Sequence, residues 1–286
     1  MLLSPAKMNN ISQQFTVHLV SSASMNIFRD NTMASFRNQL AAPLELEGTW
    51  QVALESIIFP TSIKNVTSVK IREHPDQAYF EDSISKVEIK DTIREIPEGI
   101  YKNINDLLDT IADGTSLQRF NYNIDPITDK LTLEFAPREG KSFEDEQIPS
   151  ILGFQLPRDL FDYRHVGFKT APYGNVENKH TGRYPVDIVC GSHIIFLYID
   201  IIEHQFVGDV KAPVLKIIDT ERRLTNGSLA LLAPIQQKTF EKLDFKPLLF
   251  HNIQNIQAEL RTETGKLVPF LGSGKVIVNL IFKRVN

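Results

Sequence analysis

Apolar and polar residues alternate over many short stretches of the chain, a pattern typical of half-buried β-strands. Turn-forming Gly, Pro and Asn residues separate these stretches. The run at 194–202 is nearly continuously apolar, which predicts a strand buried on both faces. The remaining predicted strands cover residues 15–20, 49–59, 66–72, 87–90, 131–135, 186–190, 214–218, 229–233, 248–251, 256–261 and 275–282.

The segment 104–111 departs from this alternation, and its spacing of apolar residues predicts an amphipathic helix. Asn103 can cap its start and Gly114 can end it. A hairpin with a polar turn at 126–130 follows the helix, so residues 86–165 predict a small α/β insertion. The apolar residues of the helix, spaced at three, four and seven positions, are Ile104, Leu107, Leu108 and Ile111.

Many short strands with such punctuation favour a β-sandwich or jelly roll over alternating β/α units. The stretch at 163–184 is rich in Gly, His, Asn, Lys and Tyr and has little periodicity, so we interpret it as a long loop. The chain has 286 residues and is 42% hydrophobic, which is enough for one large β domain with an insertion or for two smaller domains.

Charge and cysteine content exclude several classes of protein. The net charge of −4 does not fit a chain whose main task is to neutralise nucleic-acid phosphates. Cys190 is the only cysteine, so no disulfide can form within the chain, and its apolar surroundings predict a buried thiol. The first residues do not read as a secretory signal, and no segment approaches the roughly 20 apolar residues of a membrane span. The eighteen phenylalanines predict core packing.

Candidate catalytic or phosphate-binding motifs are weak. The Gly272-Ser273-Gly274-Lys275 segment lacks the earlier glycine and the following Ser or Thr of a phosphate loop, and it predicts a tight turn. None of the seven histidines has metal-ligand spacing, and no Gly-x-Ser-x-Gly motif is present. A Ser-His-Asp triad stays open at this point, because triads are arrangements in space.

Ten segments, in order from about residue 14 to 284, resemble the minor capsid (penton) protein of Polinton/Maverick elements, which has adintovirus and virophage relatives. One departure lies in the last segment, where Ile281 and Lys283 stand in place of the family's frequent His and Arg. The segments are 28–32 (FRDNT), 46–54 (LEGTWQVAL), 57–60 (IIFP), 96–101 (IPEGIY), 151–154 (ILGF), 197–203 (LYIDIIE), 205–209 (QFVGD), 212–215 (APVL), 256–260 (IQAEL) and 278–283 (VNLIFK).

This resemblance implies a mainly β fold: a single jelly-roll β-sandwich with a small α/β insertion between its N- and C-terminal groups of strands. We expect a flexible N-terminal arm at residues 1–13, a discontinuous jelly roll at 14–85 and 166–286, and the insertion at 86–165. The ring formed by such a protein would use a head-to-tail interface that closes after five copies. Our candidates for inter-subunit or outward contacts are Tyr173, His180 and Tyr184.

The resemblance also implies a structural protein of the virion rather than an enzyme, without cofactor, metal or small-molecule substrate. Five copies would form the vertex of an icosahedral capsid, surrounded by double jelly-roll major capsid proteins. The N-terminal arm could contact the genome or an internal membrane. Synthesis would take place in the host cytoplasm, and assembly in the nucleus or a viral factory.

Two other classes remain as alternatives. A lectin-like glycan- or receptor-binding attachment module would need a pocket of aromatic and polar groups on exposed loops. A hydrolase on a β scaffold would need a nucleophile and a base within hydrogen-bonding reach.

Overall fold

A computed structural model describes residues 13–67, 69–74, 92–113, 121–134, 140–143, 147–154, 166–169, 179–189, 193–221, 224–225, 228–229 and 234–285. The described residues form β-strands and two α-helices. In chain order they are β1 (Gln14–Val20), β2 (Ser35–Glu45), β3 (Thr49–Pro60), β4 (Val69–His74), β5 (Thr92–Ile96), α1 (Ile104–Asp113), β6 (Asn121–Ile124), β7 (Leu131–Glu134), β8 (Gly140–Phe143), α2 (Gln147–Ile151), β9 (Val166–Lys169), β10 (Lys179–Thr181), β11 (Ile194–Ile199), β12 (Gln205–Val207), β13 (Val210–Ala212), β14 (Val214–Asp219), β15 (Leu224–Thr225), β16 (Ser228–Leu229), β17 (Ile235–Thr239), β18 (Lys246–Pro247), β19 (Asn252–Arg261) and β20 (Ile277–Val285).

The chain folds into two compact units, and two antiparallel sheets form the larger one. The first has the order β1-β20-β3-β17, with β18 also paired to β3, and the second has the order β14-β11-β19-β2. If the four main strands of each sheet are numbered along the chain from one to eight, the sheets read 1-8-3-6 and 5-4-7-2. This is the strand order of an eight-stranded jelly roll, which confirms the fold class.

The core of the jelly roll lies between the inner faces of the two sheets. In β3, Trp50, Val52 and Leu54 point inwards and are buried, as the alternation of the sequence predicts. Phe282 of β20 is fully buried in the same cluster, and the ring of Phe15 in β1 stacks on it with centroids 4.9 Å apart. Each such side chain contributes about 1.5–3 kcal/mol through burial.

The second compact unit contains residues 64–190 and 222–230, and the jelly roll contains 1–63, 191–221 and 231–286. The insertion therefore extends beyond the boundaries of 86 and 165 expected from the sequence. The physical reason is strand pairing, because β4 pairs with β5 and β8 and so belongs to a sheet of the insertion.

Helix α1 confirms the helical prediction and packs into a separate apolar core. Asn103 caps it, since Oδ1 of Asn103 accepts the N–H of Asp106 at 2.9 Å. Gly114 lies outside the described residues. The predicted hairpin is also present as β6 and β7, whose turn is fixed by Oδ1 of Asp125, which accepts the N–H groups of Ile127 and Thr128. The four apolar helix residues all point into the core of this unit.

Several sequence predictions need correction. In β11, Ile195, Leu197 and Ile199 are buried but Ile194 is exposed, so the strand is buried on one face only. Residues 188 and 189 form a buried turn instead of a strand. The stretch at 163–184, predicted as a loop, contains β9 and β10, because both pair with strands of the insertion.

Other predictions differ in extent. Residues 249–251 are not a strand, although Leu248 forms an isolated bridge to Ile202. Of the segment 229–233, only Leu229 lies in a described strand, and the predicted strand at 87–90 lies outside the described residues. The Gly272–Lys275 turn is confirmed, since β20 rather than a helix follows it. Two jelly-roll strands, β2 and β17, had no counterpart among the predicted elements.

Candidate assembly surfaces

The connections between jelly-roll strands cluster at two ends of the sandwich. One end, which we call the terminal end, carries the connections 46–48, 200–213 and 248–251. Gln13, the first described residue, and the end of β20 also lie there, and the N–H of Arg284 donates to the carbonyl of Gln13 at 2.9 Å. The chain leaves β3 for the insertion at the opposite end.

Backbone hydrogen bonds tie the connections of the terminal end together. The N–H of Leu249 donates to the carbonyl of Ile201 at 2.9 Å, and the N–H of Glu203 donates to that of Pro247 at 3.0 Å. The N–H of Leu46 donates to the carbonyl of His251 at 2.7 Å. This end is therefore an ordered surface rather than a set of independent loops.

A short hairpin, residues 205–212, extends from the terminal end. It consists of β12 and β13 joined by the two-residue turn Gly208-Asp209, in which Gly208 has a φ of +61°. Phe206 is 79% exposed and Val210 is 54% exposed. The Lys211 ammonium lies 4.7 Å from the centroid of the Phe206 ring. The phenylalanines are predicted to pack in the core, and Phe206 is an exception.

The outer face of the second sheet carries an apolar strip next to a polar one. The apolar strip consists of Ile194, Phe196 and Tyr198 on β11 and Ile217 on β14, where Ile217 pairs directly with Phe196. Ile217 is 53% exposed. We call these four residues the outer apolar strip.

The polar strip runs over the neighbouring strands β19 and β2. Both Nε and Nη2 of Arg261 contact Oε2 of Glu259, at 2.8 and 2.6 Å, and the Arg261 guanidinium lies over the Tyr198 ring at 5.5 Å. Oδ1 of Asp200 accepts the N–H of Gln257 at 2.9 Å. Desolvation raises the pKa of Asp200 above its ordinary value, although the Gln257 hydrogen bond and the Arg37 charge oppose this shift.

Asn65 holds together three segments of the insertion. Its Nδ2 donates to the carbonyls of Tyr101 and Ile188, each at 2.8 Å, and its Oδ1 accepts the N–H of Tyr101 at 2.9 Å. Asn65 is fully buried. The segments at which the insertion begins and ends are thus fixed to one another.

Of the three predicted contact residues, two lie within the described part of the chain. Tyr173 lies outside the described residues. His180 lies in β10 with its backbone opposite Leu133 of β7. Tyr184 is 51% exposed, its N–H donates to the carbonyl of Gly153 at 2.9 Å, and the Arg183 guanidinium lies 5.7 Å from its ring.

One row of polar side chains on the first sheet resembles part of a catalytic triad but lacks its geometry. Nδ1 of His18 lies 2.6 Å from Oδ1 of Asn279, and Nδ2 of Asn279 donates to Oγ of Ser56 at 2.7 Å. Since the amide oxygen can only accept, Nδ1 of His18 donates to Asn279 and does not contact the Ser56 hydroxyl. Asn279 separates it from the buried Ser56 hydroxyl, so these residues do not form a nucleophile–base pair.

Within the described part of the chain, no three His, Cys, Asp or Glu residues cluster in a way that could hold a metal ion. Neither described helix is long and apolar enough to span a membrane.

No protein-family model and no curated protein sequence matches the chain. Among solved structures, the selenomethionine-labelled mavirus penton protein is similar with a TM-score of 0.44 and 8% identity, over 96% of this chain and 100% of that one. A chain from the 3.5 Å cryo-EM structure of the Sputnik virophage is similar with a TM-score of 0.44 and 13% identity, over 96% and 98%. Both TM-scores are low, so the assignment of the jelly roll rests on the strand order alone.

Proposed function

We propose that the chain is a structural capsid protein of the Polinton/Maverick minor capsid type, without enzymatic activity. Five copies form a closed ring at the vertex of an icosahedral capsid, surrounded by double jelly-roll major capsid proteins. The observation that carries the proposal is the eight-stranded jelly roll with sheet orders 1-8-3-6 and 5-4-7-2. Viral capsid proteins are a principal class with this fold.

The motifs shared with the minor capsid family have structural tasks in the described residues, which supports a role in building a scaffold. In the segment 46–54, Gly48 has a φ of +86° and lets the chain turn into β3. The indole Nε1 of Trp50 then donates to the carbonyl of Glu47 at 3.0 Å. Gly153 of the 151–154 segment has a φ of +79°, and a Cβ there would lie 2.1 Å from the Tyr184 carbonyl oxygen. Both glycines are required by the backbone geometry.

A ring of identical subunits needs two different, complementary surfaces on each copy, because its interface is head-to-tail. The jelly roll offers both the hairpin at the terminal end and the outer face of the second sheet. Tyr184 and the rest of the insertion stay our candidates for further inter-subunit or outward contacts, together with Tyr173 and His180. We also propose that the N-terminal arm contacts the genome or an internal membrane, and that the protein acts in the virion after assembly in the nucleus or a viral factory.

The glycan- or receptor-binding alternative uses the same fold, because jelly rolls also occur in lectins. The fold therefore does not separate the two proposals, whereas the symmetry of the assembly does.

Electron microscopy of the purified chain tests the proposal. We expect class averages of closed rings with five-fold symmetry. Three-fold particles would contradict the vertex role and favour an attachment module. Open filaments would show that the head-to-tail contact exists but does not close, which would also contradict a vertex ring.

A further inference from the structure

The exposed phenylalanine of the 205–212 hairpin is held in place from both sides. The preceding segment is fixed by the Ile202–Leu248 bridge and by the bond from the N–H of Glu203 to the carbonyl of Pro247. On the other side Ala212 is buried, and the carbonyl of Pro213 accepts the N–H of Ile199 at 3.0 Å. The hairpin therefore presents Phe206 to solvent from an ordered base, as a binding surface does.

The charges around Phe206 indicate the class of partner. Asp209 lies at the hairpin turn and Glu203 precedes the hairpin, whereas Lys211 stacks on the ring. An anionic lipid surface attracts clusters of basic residues, and this mixture does not provide one. Aromatic side chains are enriched at contacts between proteins, and the rim of such contacts is polar.

The outer apolar strip has the matching properties. Ile217 and Phe196 lie side by side across two strands and can accept an aromatic ring and a valine. Asp219 lies opposite Ile194 on one side of the strip, and Arg261 lies opposite Phe196 on the other. Asp219 is opposite in sign to Lys211 of the hairpin, whereas the guanidinium of Arg261 is already paired with the Glu259 carboxylate.

The two surfaces do not cover each other within one chain, because Phe206 and Ile217 both stay largely exposed. We infer that the 205–212 hairpin of one copy docks on the outer apolar strip of the next copy. This inference rests on the proposed ring, and it names the contact that closes the ring. The contact is head-to-tail, as cyclic symmetry requires.

Disulfide cross-linking tests the contact directly. In a Cys190→Ser background, which removes the native thiol, the variants Val210→Cys and Ile217→Cys are oxidised separately and as a mixture, one of them carrying a size tag. We expect a disulfide-linked dimer of tagged and untagged chains in the mixture and little dimer in either variant alone. Equal cross-linking of one variant with itself, or no mixed dimer, would overturn the inference.

A chain with both cysteines separates this inference from the proposed function. Oxidation should give a ladder of covalent oligomers that stops at five copies. A ladder that continues beyond five would support the hairpin contact but contradict the vertex ring. Five-fold rings in the microscope without any cross-link would leave the vertex role intact and overturn the hairpin contact.

A substitution with a matched control gives a second measurement. We expect Phe206→Ser to weaken association of the copies at least tenfold, as measured by the concentration at which the ring dissociates. Ile27→Ser is the control, because Ile27 is 52% exposed in the β1–β2 connection, at the end of the jelly roll opposite the hairpin. Equal effects of the two substitutions, or no effect of Phe206→Ser, would contradict the inference.

Discussion

The Asn38 side chain of β2 forms hydrogen bonds with both backbone groups of Val20 in β1, as a neighbouring strand would. Oδ1 of Asn38 accepts the N–H of Val20 at 2.7 Å, and Nδ2 of Asn38 donates to the Val20 carbonyl at 3.0 Å. Because β1 and β2 lie in different sheets, this pair of hydrogen bonds joins the two layers along one edge of the jelly roll. Asn38 is buried, so water does not replace these bonds easily.

Replacement of Asn38 by alanine should destabilise the jelly roll. The N–H and C=O of Val20 would both lose their partner, which costs about 2–6 kcal/mol in the free energy of unfolding at about 1–3 kcal/mol for each group. Chemical denaturation measures this change. Asn255→Ala is the control, since Oδ1 of Asn255 is buried and has no hydrogen-bond partner in the described structure, so we expect a loss below about 1 kcal/mol. Equal losses would show that the Asn38 bonds do not join the sheets.

Two glycines with the same φ of +79° should respond differently to alanine. A Cβ at Gly153 would lie 2.1 Å from the Tyr184 carbonyl oxygen, whereas a Cβ at Gly265 meets nothing within 4 Å. We expect Gly265→Ala to cost only the left-handed backbone strain, about 1–2 kcal/mol. Gly153→Ala should cost at least about 3 kcal/mol, because the clash is added to that strain. Thermal unfolding of the two variants checks the order, and equal losses would contradict the close approach of Gly153 to Tyr184.

The stability of the protein should contain a contribution from Asp200 that falls with rising pH. The folded-state pKa of Asp200 is raised, chiefly by desolvation, so the folded protein holds this proton more tightly than the unfolded chain. The contribution is complete below the unfolded pKa and is lost as the pH rises through the folded pKa. Asp200→Asn keeps an oxygen for the N–H of Gln257 and removes the titration. We therefore expect a flatter profile of unfolding free energy against pH above about pH 4. An unchanged slope in this variant would contradict the raised pKa.

Elements with local signals could be predicted from the sequence. Helix α1 is encoded by the spacing of four apolar residues and by the Asn103 cap, and both features are present. The β6–β7 hairpin follows from alternation around a polar turn. Strand β2 lacks such a signal, because Ala41, Ala42 and Pro43 interrupt its alternation. Its strand conformation depends on pairing with β19, more than 200 residues later in the chain.

The order of strands in the sheets could not be derived from periodicity. Gln14 pairs with Lys283 at the other end of the chain, and no local property of either segment specifies that partner. The jelly roll was therefore expected from the resemblance to a capsid family, whereas the local patterns led only to a β-sandwich or jelly roll.

The candidate contact surface could not be predicted from the sequence either, because it also depends on which strands pair. Phe206 and Val207 are two apolar residues between polar neighbours, and this pattern does not show whether the Phe206 ring is buried or exposed. Within the described residues, β12 pairs with β13 and with no other strand, and the Phe206 ring is exposed. The sequence signal for this hairpin is the Gly208-Asp209 turn, which joins two strands of three residues each.

The solution mass of the purified chain, measured by light scattering over a range of concentrations, tests the central claim most directly. Five copies of 32.5 kDa should give about 160 kDa, with no dependence on concentration once the ring has formed. A mass of one or three chains at every concentration would contradict the proposal that this jelly roll is the vertex ring of a capsid.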